Sequence, residues 1–164
     1  MSHNNHTIFS QRQIEAQLLK PIIDGLSSVY DEEDIINNIR GTIEKIAFEN
    51  GRKLKEEHKN NSLFTLSEHW RKLAEGDSLV IEDFTITASK LKFSITHCKY
   101  AEYYKKLQAE KLGNMLSCCR DKAFLNGFSE NIEICRSESI LEGNPTCDFV
   151  YTYKVKTKND MPKY

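Results

Sequence analysis

The sequence predicts an α+β domain: a helical N-terminal half, then an antiparallel sheet of about four strands packed against helices. Two patterns carry this expectation. In the first half, apolar residues recur at helical spacing, as in Ile36, Ile39, Ile43, Ile46 and Ala47. In the second half they alternate, as Leu91, Phe93 and Ile95 do with Lys92, Ser94 and Thr96. A chain of 164 residues is long enough for one core. One domain is therefore expected over 10–158, helical over 10–76 and mixed over 77–158, between a polar leader at 1–9 and a tail at 159–164.

Each element has a local reason. Ser10 can cap a helix carrying Ile14, Leu18 and Leu19, with Pro21 disturbing it and Gly25 near its end. Asp31 can cap the next, whose stripe continues through Leu54 to about His58. A shorter helix is expected from Leu66 to Glu75, ended by Gly76-Asp77. Leu79 to Thr87 and the Leu91–Ile95 segment read as two strands joined through Ala88-Ser89-Lys90. Tyr100 to Gly127 returns to helical spacing with a break near Gln108. Ile132, Ile134 and Ile140 share one strand face, and Phe149, Tyr151, Tyr153 and Val155 another. Gly143-Asn144-Pro145 supplies the turn between them.

Charge and hydropathy narrow the function. Charged residues make up 29% of the chain and the net charge is −1, with basic residues interleaved among acidic ones. No nucleic-acid footprint is present. Mean hydropathy is −0.57. No apolar run approaches the roughly 20 residues that span a bilayer, so no membrane partner is expected. The first residues lack the apolar segment of a secretory signal, which predicts a cytoplasmic protein with reduced cysteines. A small-molecule substrate is the expected partner, and a homo-oligomer stays open. His3 and His6 lie in the polar leader and receive no role. There is no P-loop, GxGxxG or GxSxG motif. His97, Cys98, Cys118 and Cys147 lack the paired CxxC or HxxxH spacing of a metal motif, so neither metal nor cofactor is expected.

All five cysteines lie between Ile95 and Lys154. Cys98 ends a strand just before a helix, where the helix N-terminus would lower its pKa. On local sequence alone the stronger reading is a small buried hydrophobe, the commonest fate of a free cysteine. Strict alternation puts His97 on the apolar face with Ile95 and Cys98 on the other, against a simple dyad. From Glu110 to Leu125, the residues Leu112, Met115, Leu116, Cys119 and Ala123 form a core stripe. Beside it Asn114, Cys118 and Asp121 make a polar line able to act on a polar substrate, or else a solvated face. Cys147 shares a strand face with Phe149, and Cys135 receives no role. Arg136 and Glu138 project between Ile134 and Ile140, so they pair with each other or Arg136 holds a substrate carboxylate.

Four blocks then agree in order and spacing with one family. They are T-H-C-K-Y-A-E at 96–102, L-S-C-C-R-D at 116–121, G-F at 127–128 and E-G-N-P-T-C-D-F at 142–149, with E-H-W at 68–70 a weaker match. Over about the last 70 residues the chain resembles the L-2-amino-thiazoline-4-carboxylic acid hydrolase family of small bacterial enzymes. The resemblance implies hydrolytic opening of a cyclic isothiourea to N-carbamoyl-cysteine. It places the motif cysteines on Cys98, Cys118 and Cys147 and the acid on Asp121. Cys98 or Cys118 would attack, and Asp121 would orient or shuttle a proton. His97, Asn114, Arg136, Cys147 and Trp70 are the candidate substrate-binding residues. The last block is also faintly similar to small-molecule-sensing domains related to 4-vinyl reductase, which gives the alternative of a non-catalytic binding or sensor domain.

Overall fold

A computed structural model describes residues 7–154. The first helix, α1, spans Ile8–Leu26. Its cap is Thr7, whose hydroxyl accepts the Ser10 N–H at 3.1 Å, so Ser10 is a first-turn residue and not the cap. The helix continues through Pro21 to Leu26. Helix α2, Glu32–His58, starts as the sequence predicts: Asp31 accepts the N–H groups of Glu33 and Asp34 at 2.9 and 3.2 Å. Acidic residues fill its first turn and Lys55 and His58 its last, which suits the helix dipole. Helix α3, Leu63–Leu73, is capped by Ser62. Gly76, at φ +69°, then turns the chain toward the sheet.

The sheet has four strands: β1 Leu79–Ile86, β2 Lys90–Cys98, β3 Ile132–Cys135 and β4 Cys147–Tyr153. Their order is β1-β2-β4-β3 and every pair is antiparallel. The protein is thus an α+β domain with a helical N-terminal half. Strand β3 is shorter than the isoleucine pattern suggests. Asp148 accepts the backbone N–H groups of Ser137 and Glu138 at 2.8 and 2.6 Å, which takes them out of any ladder. Ile140 consequently lies in a 3-10 turn, Ile140–Glu142, and not on a strand with Ile134. Val155, expected on the last strand, lies outside the described residues.

Between β2 and β3 run α4 (Lys99–Lys106), α5 (Glu110–Gly113) and α6 (Arg120–Phe128). The break near Gln108 is present, with that residue at φ 52°. A second interruption was not legible: Asn114–Cys118 is a π turn, closed by the Cys119 N–H donating to Asn114 at 2.8 Å.

The core lies on one face of the sheet. Leu91, Phe93, Ile95, Cys147, Phe149 and Tyr151 are all buried there. Trp70 of α3 packs on them, its ring 4.9 Å from Phe93 and 4.6 Å from Phe149. Helices α2 and α6 approach at backbone contact. A Cβ on Gly127 would sit 1.9 Å from the Phe48 carbonyl oxygen, and one on Gly51 would sit 2.0 Å from that of Phe124. Only glycines permit this crossing, and it fixes where α6 carries its polar residues. Among the described residues no helix is long and apolar enough to cross a membrane.

Candidate active site

A cavity of about 890 Å³ lies between the inner face of the sheet and the helices. Three thiols reach it from three separate segments. Cys98 arrives through a β-bulge. Val80 pairs with His97 while Ile81 pairs with Ile95, so β2 carries one extra residue. The extra residue reverses the alternation. Cys98 sits opposite Leu79 and lines the cavity, whereas His97 turns out of it, its Nδ1 3.4 Å from Glu102 Oε1. This corrects the expectation that His97 follows the apolar face and Cys98 the other. Cys147 sits across from Ile95 on β4, and its sulfur accepts the Ile140 N–H at 3.2 Å. Cys118 closes the π turn and also lines the cavity. Cys119 does not: its thiol donates to the Met115 carbonyl at 3.0 Å. Cys135 is exposed.

Asp121 follows on α6 and accepts the Arg136 guanidinium at 3.1 Å. Their side chains keep only 20% and 21% of their surface, directed into the cavity that both line. The Arg136 guanidinium also lies 5.5 Å above the Phe149 ring. Its partner is therefore Asp121 and not Glu138, which instead accepts the Thr146 hydroxyl. Trp70 forms part of the wall and donates its indole N–H to the Tyr151 hydroxyl at 3.0 Å. Asn114 is not brought to the cavity. The π turn rotates it away from Cys118 and Asp121, and its amide lies 3.5 Å from Glu142.

Two lining residues received no site role from the sequence. Tyr151 is legible as inward-facing from its alternation with Phe149, but its hydroxyl partner lies 81 residues away. His69 stacks on Phe124 at 4.3 Å, and burial, helped by Lys72, pushes its pKa down to about 4. Its imidazole is neutral in ordinary conditions.

Burial dominates the electrostatics. It pushes the Cys98 thiol up to about 11, against the helix N-terminal N–H of Ala101, which donates to the sulfur at 3.4 Å. The expected lowering by the helix end is real but smaller than the desolvation. Cys118 goes up to about 12 through burial and then the charge of Asp121, and burial raises Cys147 as well. Asp121 rises to about 7, because burial outweighs the pull of Arg136 and Arg120. At neutral pH the thiols are therefore protonated, and the carboxyl can both take and give a proton. Among the described residues no group of three or more His, Cys, Asp or Glu is arranged to hold a metal ion.

No protein of curated function and no solved structure matches the chain. The model of one family, L-2-amino-thiazoline-4-carboxylic acid hydrolase, matches residues 11–151. That span runs from α1 into β4 and takes in Cys98, Cys118, Asp121, Arg136 and Cys147. Most of the chain is thus covered, and the protein belongs to the L-2-amino-thiazoline-4-carboxylic acid hydrolase family.

Proposed function

We propose that the protein is a cysteine-assisted hydrolase that opens a small cyclic amidine or isothiourea bearing a carboxylate, with L-2-amino-thiazoline-4-carboxylate as the reference substrate. The observation that carries this is the gathering of Cys98, Cys118 and Cys147 around the Asp121–Arg136 pair in one cavity. Such a substrate has a carboxylate for a guanidinium and an electrophilic carbon for a thiol.

Arg136 takes the substrate carboxylate. Cys118 is the attacking thiol, because Asp121 follows it by three residues, at the start of α6, and is the strongest charge acting on it. A thiol held near 12 does not attack until its proton leaves. Asp121 accepts that proton as the sulfur bonds to the amidine carbon. The ring carbon–sulfur bond breaks, and Asp121 returns the proton to the leaving sulfur. Water then adds to the same carbon, giving one proton to Asp121. The Cys118 sulfur departs and takes that proton back, and N-carbamoyl-cysteine is released. Cys98 and Cys147, both neutral, surround the reacting carbon and keep water-borne charge out. The rate should rise through about pH 7 as Asp121 loses its proton.

The test is to incubate purified protein with L-2-amino-thiazoline-4-carboxylate and detect by mass spectrometry a product one water heavier. Turnover that is lost in Cys118→Ser supports the reading. A folded protein that gains thermal stability with the compound but releases no product would replace hydrolysis by a binding role.

A further inference from the structure

The thiol cluster uses only part of the cavity. Cavities of roughly 300–1,000 Å³ accommodate drug-sized molecules, and this one measures about 890 Å³. A single thiazoline ring leaves most of it empty. The wall beyond the thiols is apolar, with Leu19, Ile39, Ile43 and Leu66 among its residues. Gln11, Asn38 and Thr42 are exposed and line the same cavity, so it opens between α1 and α2.

Near that opening stands a second cationic centre. Arg12 of α1 lines the cavity with 12% of its side-chain surface left, paired to Glu15. Arg120, the first residue of α6, lines it too. Among the described residues Arg120 has neither a carboxylate in salt-bridge range nor a hydrogen bond from its guanidinium, although it is half-buried. Of the charges acting on it Arg12 is the strongest, and it repels, while Glu15 pulls the other way. Both guanidiniums thus line one open cavity, and among the described residues the one carboxylate in salt-bridge range of either is Glu15, on Arg12. Like charges held this way, partly desolvated, are costly without an anion between them.

We infer that Arg120, assisted by Arg12, is an anion-binding subsite for a second acidic group of an elongated substrate whose middle is apolar. The inference rests on the reading of Arg136 as the carboxylate anchor of the reacting end. The substrate class is then a cyclic amidine carboxylate extended through a hydrocarbon-like segment to a terminal carboxylate or phosphate. The isolated thiazoline is the minimal version of it.

Binding tests this without any turnover. Calorimetric titration of the intact protein with the series from hexanedioate to dodecanedioate, each against its monocarboxylate, probes two anion sites joined by an apolar gap. At least one diacid should bind about tenfold more tightly than its monoacid, which is about 1.4 kcal/mol. In Arg120→Gln that advantage should vanish, and Arg120→Lys should restore part of it. If Arg120→Gln does not fold, Arg12→Gln, which frees Glu15 to neutralise Arg120, should show the same loss. No diacid advantage at any length, or an advantage that survives in the folded variant, overturns the subsite. A diacid advantage in a protein that never hydrolyses the thiazoline would retain the subsite and reject the hydrolase. Terminal phosphate is separated from carboxylate by repeating the titration with the phosphate monoester of the ω-hydroxy carboxylate of the preferred length.

Discussion

The floor of the cavity and its α1 wall are built differently. On the floor, Phe149 and Tyr151 are 2% exposed, and the polar groups there are matched: Trp70 to Tyr151, Arg136 to Asp121. On α1, by contrast, Ile14, Leu18 and Ile22 are 56%, 62% and 44% exposed. The floor would hold the proposed chemistry in fixed geometry, which is what a thiol and a carboxyl need to exchange a proton. Those three side chains form the outer face of α1 and do not line the cavity; the helix joins the core through Ala16 and Ile23 instead. If this contrast is right, changes on the floor should be severe and changes on the outer wall nearly silent.

The severest should be at the groups proposed to react. Asp121→Asn and Cys118→Ser are expected to lower kcat by roughly 10²–10⁴ while the protein stays folded, as read by product formation and circular dichroism. Next comes the frame that holds α6. Gly127→Ala drives a methyl into the Phe48 carbonyl, so it should cost at least about 1–3 kcal/mol in urea unfolding. A floor that tolerated this change would show that α6 is not fixed by α2.

The pH dependence of stability sharpens the same point. Asp121 titrates at about 7 in the fold against an ordinary 3.8, so the folded state holds its proton longer. Its contribution is therefore present below about pH 4 and lost as pH rises to about 7. Wild type should lose stability relative to Asp121→Asn across that window and remain level above it. A difference between the two that does not change with pH would mean the carboxyl is not buried as described.

What the sequence revealed follows the same division. Alternation placed Phe149 and Tyr151 inward, Asp31 marked the start of α2, and the four motif blocks pointed to Cys98, Cys118, Cys147 and Asp121. Each of these is a local pattern or a recurrent string. What failed was phase. One extra residue at Thr96 turns Cys98 into the cavity and His97 out of it, and one extra residue in the π turn separates Asn114 from Cys118. Bulges and π turns satisfy hydrogen bonds set by neighbouring strands and helices, so a periodicity argument has no access to them. Arg136 was legible as a charge that required a partner. That its partner is Asp121 depends on packing between α6 and the end of β3.

Two smaller effects complete the contrast. Trp70→Phe leaves the Tyr151 hydroxyl buried without its donor, so a loss of about 1–3 kcal/mol is expected in thermal or chemical unfolding. Leu18→Gln on the outer face of α1 should change stability by no more than about 0.5 kcal/mol, as read by the same unfolding curve. A large loss there would show that the outer face of α1 is packed against something and remove the contrast.

The most direct measurement is the mass of the protein itself, quenched in acid during turnover of L-2-amino-thiazoline-4-carboxylate and then digested. Ring opening by a thiol retains every atom of the substrate. The account predicts an adduct equal to the full substrate mass on the peptide carrying Cys118, strongly reduced in Asp121→Asn and absent in Cys118→Ser. Undiminished turnover by Cys118→Ser, with no adduct on any cysteine, would contradict it.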